Sequence, residues 1–118
     1  MKHTWQHIIA DFYKVKETLS ELTETKLKDY ISEKLLQNNL TQLWNYYHTF
    51  NKKNEITCVV ALAESHISIH TWPEEEYVSL DIFVCNLNDD NSNKAQQLYQ
   101  DFLLFFSPGE VKKQIIQR

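Results

Sequence analysis

Apolar positions along the chain switch between a period of two and a period of 3.6, and the switches divide it into eight segments. Trp5 to Tyr13 (WQHIIADFY) is β-branched and aromatic and predicts a strand. Glu21 to Asn38 predicts a helix, because Leu27, Tyr30, Ile31 and Leu35 fall on one face, with Asn38-Asn39 as the stop. Thr41 to Phe50, rich in Trp44, Tyr46 and Tyr47, is strand-like, and Asn51 to Asn54 is a polar turn. Ile56 to Ala63 (ITCVVALA) is nearly all apolar, as a buried strand is. Ile67 to Trp72 is a short strand with Ile67 and Ile69 on one face and Ser68 and His70 on the other. Pro73 ends it, and Glu74-Glu75-Glu76 makes an acidic turn. Tyr77 to Cys85 alternates again. Asn91 or Ser92 can cap a second helix that buries Ala95, Leu98, Tyr99 and Phe102 and ends at Ser107-Pro108-Gly109. Val111 to Ile116 adds an edge strand.

The order is β-α-β-β-β-β-α-β. Consecutive strands, rather than strict βα alternation, favour an α+β two-layer sandwich, with a mostly antiparallel sheet and helices on one face. No repeat, linker or low-complexity tract interrupts it, and 118 residues make one domain. The uncovered sheet face and its tyrosines suggest a partner surface, with a homodimer as the expected form.

Composition narrows the function. A hydrophobic fraction of 42% marks a globular chain. A net charge of -4 argues against nucleic acid, which wants a basic stripe. No apolar run approaches a membrane span, and the start MKHTWQH has no signal-peptide shape. Cys58 and Cys85 in such a chain are expected as free thiols in a reducing cytoplasm. Gly109 is the only glycine, so phosphate-cradling loops and dinucleotide fingerprints are excluded and turns must rely on Asn, Asp and Lys.

The chemistry gathers between Glu64 and Cys85. Ser65 lies in AESHISIHT, where one strand pattern ends and the next begins, followed by His66, His70 and, further on, Cys85. Taken singly, each has a plain structural reading. Ser65 suits a turn, Cys85 suits a small buried hydrophobe, and the histidines suit half-buried surface. A zinc site is not supported, since His66 and His70 lie on a strand without a helical HxxxH face or a CxxC, and no metal is expected. A serine hydrolase would need an oxyanion elbow such as GxSxG, which is absent.

As a set, these residues resemble the small prokaryotic form of the S-adenosylmethionine decarboxylase proenzymes, a pyruvoyl-dependent family. The resemblance rests on Ala63-Glu64-Ser65-His66, on Ile69-His70-Thr71-Trp72-Pro73-Glu74, and on Asp81, Phe83 and Cys85. Gln6 to Tyr13 and His48-Thr49-Phe50 look like the family's first and second strands, so the likeness covers most of the chain. It implies self-cleavage between Glu64 and Ser65 into residues 1–64 and 65–118, as in a zymogen. Ser65 Oγ would attack the Glu64 carbonyl, His70 would take the Ser65 α-proton, and a pyruvoyl group would remain as the covalent cofactor. A strained bend at a strand junction favours such an acyl shift, and imidazole is a natural proton shuttle. Thr57 stands where the family has a hydroxyl that supports processing, usually serine. The resemblance further implies a Schiff base between substrate and pyruvoyl group, with Cys85 as proton donor to the substrate carbon; a thiol is a sensible acid near neutral pH.

For the substrate, Phe50 and Trp72 look like the family's adenine-flanking aromatics and Glu74 like its ribose-binding carboxylate. The family's loops differ here: Lys14 and Glu76 replace usual glycines, Asn86 follows Cys85, and Lys53-Asn54-Glu55 replaces a Pro-x-Gly. The expected activity is decarboxylation of S-adenosylmethionine for spermidine and polyamine synthesis. Two alternatives stay open at the level of sequence. One is ornithine or arginine as substrate, with Glu74-Glu75-Glu76 receiving the cationic end. The other is a non-processing homologue that regulates a polyamine enzyme by binding it.

Overall fold

A computed structural model describes residues 5–50, 54–85 and 91–118. His3, Asn86 and the 51–53 part of the expected turn lie outside the described residues. Six strands, β1 (Trp5–Tyr13), β2 (Gln42–Thr49), β3 (Ile56–Leu62), β4 (Ser65–Trp72), β5 (Tyr77–Cys85) and β6 (Glu110–Gln117), form one sheet in the order β2-β3-β4-β5-β1-β6. Every neighbouring pair is antiparallel. Helices α1 (Glu24–Gln37) and α2 (Ser92–Phe106) cover one face, giving the expected two-layer α+β sandwich.

The alternation seen in the sequence is the alternation between faces. Ile8, Ala10 and Phe12 of β1, Cys58 and Val60 of β3, Ile67 and Ile69 of β4, and Val78, Leu80 and Ile82 of β5 are buried under the helices. They meet Leu27, Ile31 and Leu35 of α1 and Ala95, Leu98 and Phe102 of α2. The opposite face carries His7, His48, His66 and His70 with Tyr13, Tyr46 and Tyr77 and is open. Trp44, Tyr46, Phe50 and Val59 remain 59, 50, 47 and 38% exposed there.

The element ends differ from the expected ones for local reasons. The first helix begins at Glu24, not Glu21, because the Thr23 hydroxyl accepts from Lys26 N–H (3.2 Å) and caps it. Glu17–Glu21 forms a separate 3₁₀ turn. The third strand stops at Leu62 and the fourth starts at Ser65 rather than Ile67, because Leu62 pairs with Ser65 and leaves only Ala63-Glu64 as the loop. Asn91 precedes α2 but its side chain does not cap it; Nδ2 donates to the Cys85 carbonyl at 2.8 Å instead.

Scarcity of glycine leaves Lys14, Asn39, Asn54, Glu76 and Ser107 with φ between 45° and 56°. Asn tolerates this conformation, whereas Lys and Glu have no such excuse. The single glycine is needed for space: a Cβ on Gly109 would lie 2.9 Å from Lys14 Cβ, where β1 exits beside the entry to β6. Glu76→Gly is expected to raise stability by about 1 kcal/mol, since glycine occupies the left-handed region without steric cost. Matched chemical denaturation of the two proteins measures it, and an unchanged midpoint would show that Glu76 carries no net strain.

Candidate active site

The candidate residues fall in two groups at opposite ends of β4 and its neighbours. At one end, the two-residue loop Ala63-Glu64 turns the chain from β3 into β4. Ser65, the first residue of β4, has φ 151°, a region that residues bearing a Cβ rarely enter. The carbonyl oxygen of Glu64, just before it, accepts from the Cys85 N–H at 2.8 Å. That donor draws electron density from the carbonyl carbon and would bind the oxyanion formed by attack on it. Cys85 is held from its other side by the buried Asn91. Hence Ser65, the bond before it and Cys85 are gathered by the β4–β5 pairing.

His66, the following residue, is on the open face, opposite Phe83, which is opposite His7. The His66 ring meets Phe83 at 5.5 Å and His7 at 6.5 Å. Burial, then the neighbouring His7, lowers its pKa against the opposing pull of Asp81, so His66 stays neutral near pH 7. His7 Nε2 and Asp81 Oδ1 are hydrogen-bonded at 2.7 Å. This pair carries no signal in the sequence, because its members are 74 positions apart.

The other expected residues sit at the far end. Thr57 Oγ1 and His70 Nδ1 are hydrogen-bonded at 3.2 Å across β3 and β4. His70 stacks on Trp72 (5.9 Å), Trp72 on Tyr77 (5.1 Å), and Tyr77 on Tyr13 (5.3 Å). The Tyr77 hydroxyl donates to Asp11 Oδ1, and burial together with that carboxylate raises its pKa. Phe50 follows β2 with its N–H on the Glu55 carbonyl (2.8 Å), and its ring meets His48 at 4.6 Å. Glu74 is exposed in the 3₁₀ turn Pro73–Glu75. Five positions of extended strand separate Ser65 from His70, roughly 16 Å at the usual rise. One chain therefore brings Glu64, Ser65 and Cys85 together, and Thr57, His70 and Trp72 together, but not the two groups with each other.

The family model described as S-adenosylmethionine decarboxylase matches residues 6–118, both ends of this face included. The chain belongs to the S-adenosylmethionine decarboxylase family. It is 36% identical over 113 residues to an S-adenosylmethionine decarboxylase proenzyme of Archaeoglobus fulgidus, covering 96% of each chain. It is 34% identical over 112 residues to a protein of the same name from a Hydrogenobaculum species, covering 95% of this chain and 79% of that one. The crystal structure of the adenosylmethionine decarboxylase from Aquifex aeolicus superposes with a TM-score of 0.84 at 29% identity, over 100% of this chain and 92% of that one.

Lys14 and Glu76, which the sequence resemblance sets at positions of usual glycines, both take left-handed φ, 55° and 51°. The structure also separates the two cysteines. Cys58 lies under the helices, and burial pushes its thiol up to about 12, which leaves it protonated and inert. Cys85 lies beside the Glu64–Ser65 bond. Both are free thiols. Among the described residues no cluster of three His, Cys, Asp or Glu side chains is placed to hold a metal ion, and no helix is long and apolar enough to cross a membrane.

Proposed function

We propose that this protein is a pyruvoyl-dependent S-adenosylmethionine decarboxylase of polyamine synthesis that makes its cofactor by cutting itself between Glu64 and Ser65. The observation that carries the reading is the strained Ser65 with the preceding carbonyl held on the Cys85 N–H. In the first step Ser65 Oγ bonds to the Glu64 carbonyl carbon, the C–N bond breaks, and the hydroxyl proton passes to the freed amine. His70 then takes the Ser65 α-proton, the ester C–O bond at Ser65 Cβ breaks, and the main-chain carboxylate of Glu64 leaves as a new C-terminus. Hydrolysis of the remaining enamine releases ammonia and leaves residues 1–64 and 65–118. Thr57 orients the His70 ring through its hydroxyl. A half-buried serine whose preceding carbonyl rests on a backbone donor fits the pyruvoyl group. When formed, that group supplies the electron sink for loss of carbon dioxide.

Cys85 supplies the proton that replaces carbon dioxide on the substrate carbon. Cys85→Ala is expected to cleave at Ser65 yet lose roughly 10²–10⁴-fold in turnover, the usual worth of a placed acid. Radiometric release of carbon dioxide together with product analysis checks this, and unchanged product formation would remove Cys85 from the reaction.

Phe50 and Trp72 flank the adenine and Glu74 holds the ribose. With the register continued, Phe50 and Trp72 lie two strands apart at one end of the face, roughly 10 Å, a spacing that admits a flat base. Trp72→Ala is expected to weaken S-adenosylmethionine binding about tenfold, through lost stacking and lost attraction for the sulfonium. Cleavage at Ser65 should survive, because processing does not use the adenine pocket. Calorimetric titration alongside a gel of the same sample reads both.

The names of the relatives favour S-adenosylmethionine over ornithine and arginine, and over a regulatory role without processing. Carbon dioxide released from S-adenosylmethionine alone is the expected outcome when the three substrates are compared. Release from ornithine or arginine alone would overturn the substrate.

A second copy of the chain completes the site. Isologous packing of two open faces sets the Ser65 end of one β4 against the His70 end of the other, which one chain keeps apart. It also covers Trp44, Tyr46 and Phe50. The enzyme works in the cytoplasm, as the two free thiols support. Its partners are its small-molecule substrate and its own copy, without nucleic acid or membrane, in keeping with its net charge of -4.

A further inference from the structure

Two-residue hairpin loops normally take positive φ within the loop, which is why Asn-Gly and Gly-containing pairs dominate there. Here the loop is Ala63-Glu64, and neither residue has positive φ. The excursion falls instead on the next residue, Ser65, at φ 151°. Backbone strain of this kind persists only where the surrounding structure holds it. Two hydrogen bonds tie the loop to Thr41, which leads into β2 where the register on β3 shifts between Gln42 and Trp44. Ala63 N–H donates to the Thr41 carbonyl at 2.9 Å, and Thr41 N–H donates to Glu64 Oε1 at 3.1 Å. A third, from Cys85 N–H, holds the Glu64 carbonyl itself.

We propose that the Glu64 side chain is a positioning residue for self-cleavage. Through Thr41 it keeps the β3–β4 loop in the geometry that strains Ser65 and aims the Glu64 carbonyl at the Cys85 N–H. This rests on the reading of Ser65 as the cleavage residue. The carboxylate takes no proton and forms no bond in the reaction. It acts on the acyl shift alone, in which the Oγ–C bond forms, the C–N bond breaks and the proton moves from oxygen to nitrogen.

The test uses full-length protein made by cell-free synthesis, with loss of the single chain followed on gels. Glu64→Ala is expected to cleave about tenfold more slowly, the rate equivalent of one charge-assisted hydrogen bond. Glu64→Gln keeps an acceptor oxygen and is expected to cleave close to the wild-type rate. Placed in the uncleavable Ser65→Ala background, both substitutions should melt as Ser65→Ala alone does. Hydroxylamine cuts esters but not amides, so it should not speed Glu64→Ala, whose ester forms slowly. It should release chains from His70→Ala, where the ester waits. Wild-type speed in Glu64→Ala, equal slowing in Glu64→Gln, or rescue of Glu64→Ala by hydroxylamine would each overturn the positioning role. Failure of the underlying reading looks different: the wild type would stay whole, or Ser65→Ala would be cut.

Discussion

Purified protein is expected to run as two chains, residues 1–64 and 65–118, with the second blocked to Edman chemistry, and Ser65→Ala is expected to stay one chain without decarboxylase activity. The substitution is unusually clean. It removes Oγ but keeps Cβ, so the backbone at φ 151° is as strained as before and only the nucleophile is gone. Ser65→Gly is also unable to cleave but fits that backbone, and should melt above Ser65→Ala by about 1 kcal/mol of relieved strain. Intact mass and thermal denaturation read the two effects separately. A wild-type chain that remains whole through long incubation at neutral pH would end the case for an active enzyme.

What the sequence disclosed was one-sided burial. The alternation in Trp5–Tyr13 and Tyr77–Cys85, and the 3.6 period at Leu27, Ile31 and Leu35, report a face pressed on a core, and the structure has those faces. Element ends were less legible, because caps and pair contacts decide them. Thr23 starts α1 through one hydroxyl, and the Leu62–Ser65 pair starts β4. Contacts that depend on register were invisible. The His7–Asp81 and Tyr77–Asp11 bonds join residues more than sixty positions apart, and no local pattern announces them. The bend at Ser65 could be read from a strand junction, but its location on Ser65 depends on the loop being two residues long.

Proximity along the chain also misleads within the site. Ser65, His70 and Cys85 fall within about twenty residues, yet an extended strand converts five positions into roughly 16 Å. Cys85 returns to Ser65 because β5 folds back on β4, whereas His70 has moved away along the same strand. Thr57 stays with His70 because β3 runs antiparallel beside it. In the proposed homodimer the linear cluster becomes two half-sites, and the open face becomes part of the reaction.

Coexpression of Ser65→Ala with His70→Ala is expected to restore cleavage that neither shows alone. In a homodimer of the proposed kind, each site draws Ser65, Glu64 and Cys85 from one subunit and Thr57 and His70 from its partner. A mixed dimer then has one site with both defects and one with neither. The intact site contains the Ser65 of the His70→Ala chain and the His70 of the Ser65→Ala chain. Only the His70→Ala chain should therefore be cut, and at equal expression about half of it, the fraction that pairs with the other variant at random. Distinct tags on the two chains let one gel read the result. If His70→Ala is cut when expressed alone, His70 is not the proton acceptor, and the neutral His66 one residue from Ser65 becomes the candidate. Were neither chain cut in the mixture while the two variants still form dimers, the site would not be shared between subunits.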